Sequence, residues 1–131
     1  MPRRASAYPT EAELEILNVL WSNGPSTVRE VHSHLQSQQH RTALTTTLKL
    51  LQVMTDKGVT LRNDSRPHSY RPALPQRQVQ AGLLRDMVER AFEGSAHKLL
   101  VRAVQDMGIS EQELQEVRKL IDERRDGGRG D

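Results

Sequence analysis

The chain has 131 residues, a net charge of +2, 35% hydrophobic content, one Trp, one Phe, two Tyr and no cysteine. That length fits one small domain with or without an accessory element, and so few aromatics allow only a modest core, so help from a partner subunit is expected. The lack of cysteine excludes disulfides and thiolate metal sites and suits a reducing cytoplasm.

The opening "MPRRASAYPT" has no apolar run behind its arginines, so it does not read as a signal peptide, and residues 1–9 are expected to be flexible. In "TEAE", Thr10 and Glu13 have the capping-box spacing. They open a helix whose apolar face is Leu14, Leu17, Leu20 and Trp21, and "NGP" at 23–25 ends it. A second box, Thr27 and Glu30, opens a helix with Val28, Val31 and Leu35. After the polar "QSQQH" comes "RTALTTTLKLLQVMTDKG" (41–58), a third helix with Leu44, Leu48, Leu51 and Thr55 at spacings of three and four and Gly58 at its stop. Then Val59 and Leu61 alternate, "NDSRPHS" supplies turn residues, and Tyr70 begins a second extended run, which makes a short hairpin. Three short helices and a hairpin predict a winged helix-turn-helix over 10–74, with the third helix in the reading position.

Pro72 and Pro75 mark the boundary to the second half. "QVQAGLLRDMVERAF" is an amphipathic helix through Leu83, Leu84, Met87, Val88 and Phe92, broken by "GS" at 94–95. "AHKLLVRAV" supplies Leu99, Leu100 and Val104, and the Ser110/Glu113 box opens a last helix with Leu114, Val117 and Ile121 on one side. These stripes lack enough partners for a core of their own, so residues 75–125 are expected to be a helical dimerisation region, followed by a disordered tail at 126–131. The predicted class is mainly α with a small β-hairpin.

Charge is concentrated. Residues 41–71 carry six Lys/Arg (Arg41, Lys49, Lys57, Arg62, Arg66, Arg71) against Asp56 and Asp64, a balance of +4, whereas residues 76–131 carry ten against eleven acids, a balance of −1. A local basic excess is the footprint of phosphate binding. The threonines of the third helix point the same way. At 100° per residue Leu44, Leu48, Leu51 and Thr55 fall within about 60°, with Thr47 and Met54 at the margins and Thr42, Thr45, Thr46, Lys49 and Val53 opposite. Threonine costs a helix roughly 0.5 kcal/mol relative to alanine, so a solvated face would use better helix formers. A short side chain with a hydroxyl and a methyl instead lets a helix approach a duplex closely and touch phosphate or base edges. Backbone N–H groups at the helix start, Arg41 and Lys49 add anion affinity.

"PTEAELEILNVLW", "GPSTVREV", "TTTLKLLQVMTDKGV", "RPHSYRPAL" and "ISEQELQEVRKLIDE" together resemble the penicillinase-repressor family, of the BlaI/MecI type, from about Pro9 to Glu123. The resemblance implies a homodimeric transcriptional repressor. Each winged helix would occupy half of a palindromic double-stranded operator, and the C-terminal helices would interlock. It places the family's reading pair on Thr45 and Thr46, with Lys49 one turn on, and the wing contacts on Arg66, His68 and Tyr70. Leu44 stands where the family has an aromatic. The resemblance also brings in a membrane sensor–protease system as a partner. Antibiotic-responsive members are cut at an Asn–Phe bond, where this chain has Arg102 and Ala103. Copper-responsive relatives use C-terminal cysteines, and this chain has none.

His32 and His34 point roughly 200° apart on a helix, so they cannot share a metal and read as surface residues. No metal-ligand spacing, glycine-rich phosphate loop or nucleophile–base arrangement is present. An enzyme, a cofactor and a metal site are not expected. The rival readings are a winged-helix protein-interaction module, disfavoured by the Thr/Lys face, and a ligand-sensing repressor with a pocket among the C-terminal helices.

Overall fold

A computed structural model describes residues 9–38 and 42–129. Helix α1 spans Glu11–Asn23, strand β1 Ser26–Thr27, α2 Val28–Ser37, α3 Leu44–Asp56, β2 Thr60–Arg62, β3 Ser69–Pro72, α4 Gln76–Ala91, α5 Ala96–Asp106 and α6 Glu111–Arg129. All three capping boxes form. Thr10 Oγ1 accepts from the Glu13 N–H at 3.1 Å and Glu13 Oε1 accepts from the Thr10 N–H at 3.0 Å. Thr27 and Glu30 repeat the pattern. At Ser110 and Glu113 it recurs, and the Ser110 backbone N–H, followed by its hydroxyl, holds the Glu113 carboxyl below its ordinary pKa. Helix α1 ends at Gly24, whose φ of +81° lets its N–H turn back to the Leu20 carbonyl.

The three N-terminal helices pack around one core: Ile16, Leu17, Val19 and Leu20 of α1, Val31 and Leu35 of α2, Leu51 and Met54 of α3, and Tyr70 of β3. The sheet has one strand more than the expected hairpin. Its order is β1-β3-β2, both pairings antiparallel, with Ser26 opposite Tyr70 and Arg62 also opposite Tyr70. A two-residue strand carries no periodicity, so β1 leaves no sequence signal. The inward residue of β2 is Thr60, fully buried, and Leu61 points outward. This reverses the expected alternation, because the Thr60 hydroxyl is satisfied by Thr55 Oγ1 at 2.9 Å and can be buried without penalty.

The chain divides into two compact units between Arg85 and Asp86, inside α4. Helix α6 continues through Arg129. Extending a formed helix across glycine costs only about 1 kcal/mol per residue, far less than starting one.

One long-range ion pair ties the N-terminal unit together. Glu13, buried at the start of α1, receives the Lys57 ammonium at 2.7 Å from the C-terminal cap of α3. Its other oxygen serves the capping box. Breaking such a pair strands a charge in the interior, a cost moderated here because the Lys57 side chain is partly exposed. Lys57→Met should lower the unfolding free energy by about 2 kcal/mol in urea titration at fixed protein concentration. The double variant Glu13→Gln/Lys57→Met should recover more than half of that. An unchanged Lys57→Met midpoint would show the pair to be idle.

Candidate nucleic-acid interface

Helix α3 buries Thr47, Leu51 and Met54, with Leu44 and Leu50 half-buried. The buried stripe is thus rotated from the expected one: Thr47 lies at its centre and Leu48 is 37% exposed. Thr47 can be buried because its Oγ1 turns back onto the Ala43 carbonyl at 3.4 Å, leaving the methyl to the core. Thr55 does likewise with the Leu51 carbonyl at 2.8 Å. The opposite side presents Thr45, Thr46, Lys49, Gln52 and Val53, all exposed. Thr42 is half-buried just before the helix, and Arg41 lies outside the described residues. No side chain caps the N-terminus of α3 at Ala43, in contrast to α1 and α2.

The wing is closed by Asn63. Its N–H donates to the Ser69 carbonyl at 3.0 Å, its Oδ1 accepts from the Ser69 N–H at 2.9 Å, and its Nδ2 donates to Ser69 Oγ at 2.7 Å. His68 Nδ1–H donates to the Asn63 carbonyl at 2.9 Å, since a carbonyl can only accept. Arg62, Arg66 and Arg71 are exposed around this loop, and His68 is half-buried. Tyr70, expected in the wing, and Lys57, counted in the basic segment, are both tied into the fold. Tyr70 is only 3% exposed and belongs to the core, because its place in β3 turns the ring inward against α1. Lys57 is engaged by Glu13. A small cleft lies between α3 and the wing, lined by Gln52, Thr55, Asp56, Arg62 and Tyr70. His32, expected to be an idle surface residue, donates Nε2–H to the Thr42 carbonyl at 2.8 Å.

In the C-terminal unit no described residue is buried. Of the residues expected at a dimer seam, Leu84, Met87, Leu100, Val104, Val117 and Ile121 are exposed, and Leu83, Val88, Phe92, Leu99 and Leu114 are half-buried. Sequence reasoning passed over Val101 and Met107, which lie beyond the expected stripe yet are exposed, Met107 at 65%. An open cleft of about 550 Å³ is lined by Ala91, Phe92, Glu93, His97, Lys98, Val101 and Arg102. Its cations are already engaged, Lys98 with Glu93 at 2.6 Å and Arg102 with Asp106 at 3.6 Å. Among the described residues no group of His, Asp and Glu could hold a metal ion, and no helix is long and apolar enough to cross a membrane.

The sequence profile of the family described as "Penicillinase repressor" matches residues 9–123. This chain belongs to the penicillinase repressor family. It is 34% identical over 104 residues to "Transcriptional regulator BlaI" of Mycobacterium tuberculosis, covering 77% of this chain and 75% of that protein, with the same values for strains CDC 1551 and H37Rv. Membership places it among transcriptional repressors and not among enzymes. The profile takes in the whole winged helix, α4, α5 and most of α6.

Because Tyr70 is a core residue, Tyr70→Phe should leave retention on a DNA column within twofold of wild type. Tyr70→Ala should cost roughly 3 kcal/mol of stability, the range for emptying an aromatic site. A Phe variant that folds normally but loses DNA retention would return Tyr70 to the interface.

Proposed function

We propose that this penicillinase repressor homologue acts as a homodimer that binds a palindromic double-stranded operator, with α3 of each subunit in the major groove. The observation that carries this reading is the division of α3 into a buried Thr47–Leu51–Met54 side and an exposed Thr45–Thr46–Lys49 side. Short hydroxylated side chains there permit close approach to base edges, and Lys49 supplies a phosphate or guanine contact. Thr42 and Arg41 would flank the helix start, and Arg66 and His68 would bring the wing to the backbone. With Nδ1–H committed to Asn63, the His68 Nε2 is the nitrogen left for an outside partner. A repressor of this kind works where the chromosome is, which in a bacterium is the cytoplasm.

The homodimer is supported by the apolar exposure of α4, α5 and α6. Side chains such as Leu100, Val104, Leu120 and Ile121, each already about half covered, would gain roughly 1–2 kcal/mol apiece if covered completely. A sensor–protease partner acting at the Arg102–Ala103 bond would meet a peptide inside α5. Proteases take extended substrate, so α5 would have to open first.

Selection of bound sequences from a random duplex pool should return a two-fold repeat with half-site centres one helical turn, about 34–36 Å, or a multiple of it apart. Binding should weaken steeply with salt, and Lys49→Met should reduce the log–log slope by about 0.9 per subunit. Thr46→Val should shift base preference more than slope. Equal affinity for selected and scrambled duplexes would end the operator reading. For the dimer, Val104→Asp should yield monomers by sedimentation equilibrium and at least tenfold weaker operator binding. A wild-type monomer at micromolar concentration would overturn it.

A further inference from the structure

In the N-terminal unit the reading helix is the one that starts without a side-chain cap: Thr10 caps α1, Thr27 caps α2, and Ala43 offers α3 nothing. An uncapped start leaves the first N–H groups to outside acceptors. It also removes the local bond that would fix where the helix begins. Positional control must then come from elsewhere in the fold, and it comes from α2. His32, half-buried on that helix, reaches across to the carbonyl of Thr42 and donates Nε2–H at 2.8 Å.

That carbonyl belongs to the peptide plane shared with Ala43, the helix-cap residue, whose φ of −68° and ψ of 152° lead straight into α3. Peptide planarity transmits the constraint. Once the Thr42–Ala43 plane is held and Thr47, Leu51 and Met54 are seated in the core, both the rotation and the axial start of α3 are determined. The side chains so placed are Thr45 and Thr46, one and two residues into the helix. Hydrogen bonds to base edges weaken within a few tenths of an ångström beyond their 2.7–3.2 Å range, so a slack helix start would blur base reading before it weakened phosphate attraction.

We propose that His32 is a positioning residue for base recognition: its Nε2–H clamp on the Thr42 carbonyl aims Thr45 and Thr46. The inference rests on the proposed DNA-binding reading of α3. It assigns His32 no contact with DNA and no part in the protein's basal phosphate affinity.

The test uses the full-length protein and the duplex selected from the random pool, with a scrambled duplex as control. His32→Leu removes the donor, whereas His32→Gln places an amide N–H near the position of Nε2. His32→Leu should reduce the selected-to-scrambled affinity ratio at least fivefold, with scrambled binding and the salt slope unchanged. His32→Gln should restore at least half of that loss. Thermal unfolding of both variants is recorded, and the Gln rescue at matched stability separates aiming from general destabilisation. Independently of DNA, long-range ¹H–¹⁵N NMR of wild type should show His32 with its proton on Nε2. A His32→Leu ratio within twofold of wild type, equal losses in Leu and Gln, or an Nδ1–H tautomer would each overturn the proposal. Failure of wild type itself to discriminate the two duplexes would instead strike the DNA-binding reading, while the tautomer result would still judge the clamp.

Discussion

The seating of Thr47, Leu51 and Met54 in the core is the constraint from which the geometry of the candidate interface follows. A helix turns by about 100° per residue, so fixing three buried positions fixes every other one. Thr45, Thr46 and Lys49 face outward because those three face inward. The core that holds them draws on all three N-terminal helices and on β3, whose Tyr70 is its buried aromatic side chain, with the partly buried Trp21 packed against it. Tyr70 also lies at the centre of the sheet, opposite both Ser26 and Arg62. Rotation of α3, closure of the sheet and position of the wing are consequences of one small packing problem.

Electrostatics divides the basic segment between two tasks. Lys57 neutralises Glu13 and locks the end of α3 to the start of α1. Lys49, Arg62, Arg66 and Arg71 remain exposed, on the helix and around the wing. The cationic surface is therefore bipartite, which is consistent with the proposed contact to a duplex through a helix and an adjoining loop. It is also a little weaker than a residue count indicates. Glu13 shows why composition misleads here. Its partner lies 44 residues away, and a local reading sees only the capping box.

The local grammar of the chain was legible: the helix starts at Thr10, Thr27 and Ser110 and the turns at Gly24 and Gly58 follow from neighbouring residues alone. Departures arose where a hydroxyl satisfied itself inside the fold. Ranking by hydrophobicity puts Leu48 ahead of Thr47 and Leu61 ahead of Thr60, yet both threonines are fully buried and both leucines are more than a third exposed. A threonine whose oxygen bonds a carbonyl or another hydroxyl behaves as a small branched apolar residue, and nothing in a single sequence announces which threonine will do so. The same blindness hid the tie between His32 and Thr42, ten residues apart across a helix boundary. The exposure of Thr45, Thr46 and Lys49 on α3 was readable from residue type, while the inward turn of Tyr70 depended on strand parity that only the paired sheet reveals.

The C-terminal helices pose a different energetic problem from the winged helix. Ordering a backbone residue costs roughly 1–2 kcal/mol, and a segment recovers this by burial. From Asp86 onward no described side chain is buried, so in isolation these helices have their caps, their i,i+4 pairs and partial apolar cover, each worth a fraction of what ordering requires. In the proposed dimer, folding of this region and association would be one process. Two winged helices joined in that way would meet an operator with the second half-site at high effective concentration, so modest contacts from each α3 would multiply into tight binding. Any event that loosens α4, α5 or α6 would then weaken that binding without touching the proposed reading face. Under that proposal the reading surface and the means of release would be separable, so a chain with no cysteine and with Arg102–Ala103 where the resemblance puts the cleavage position could keep the first while the second differs.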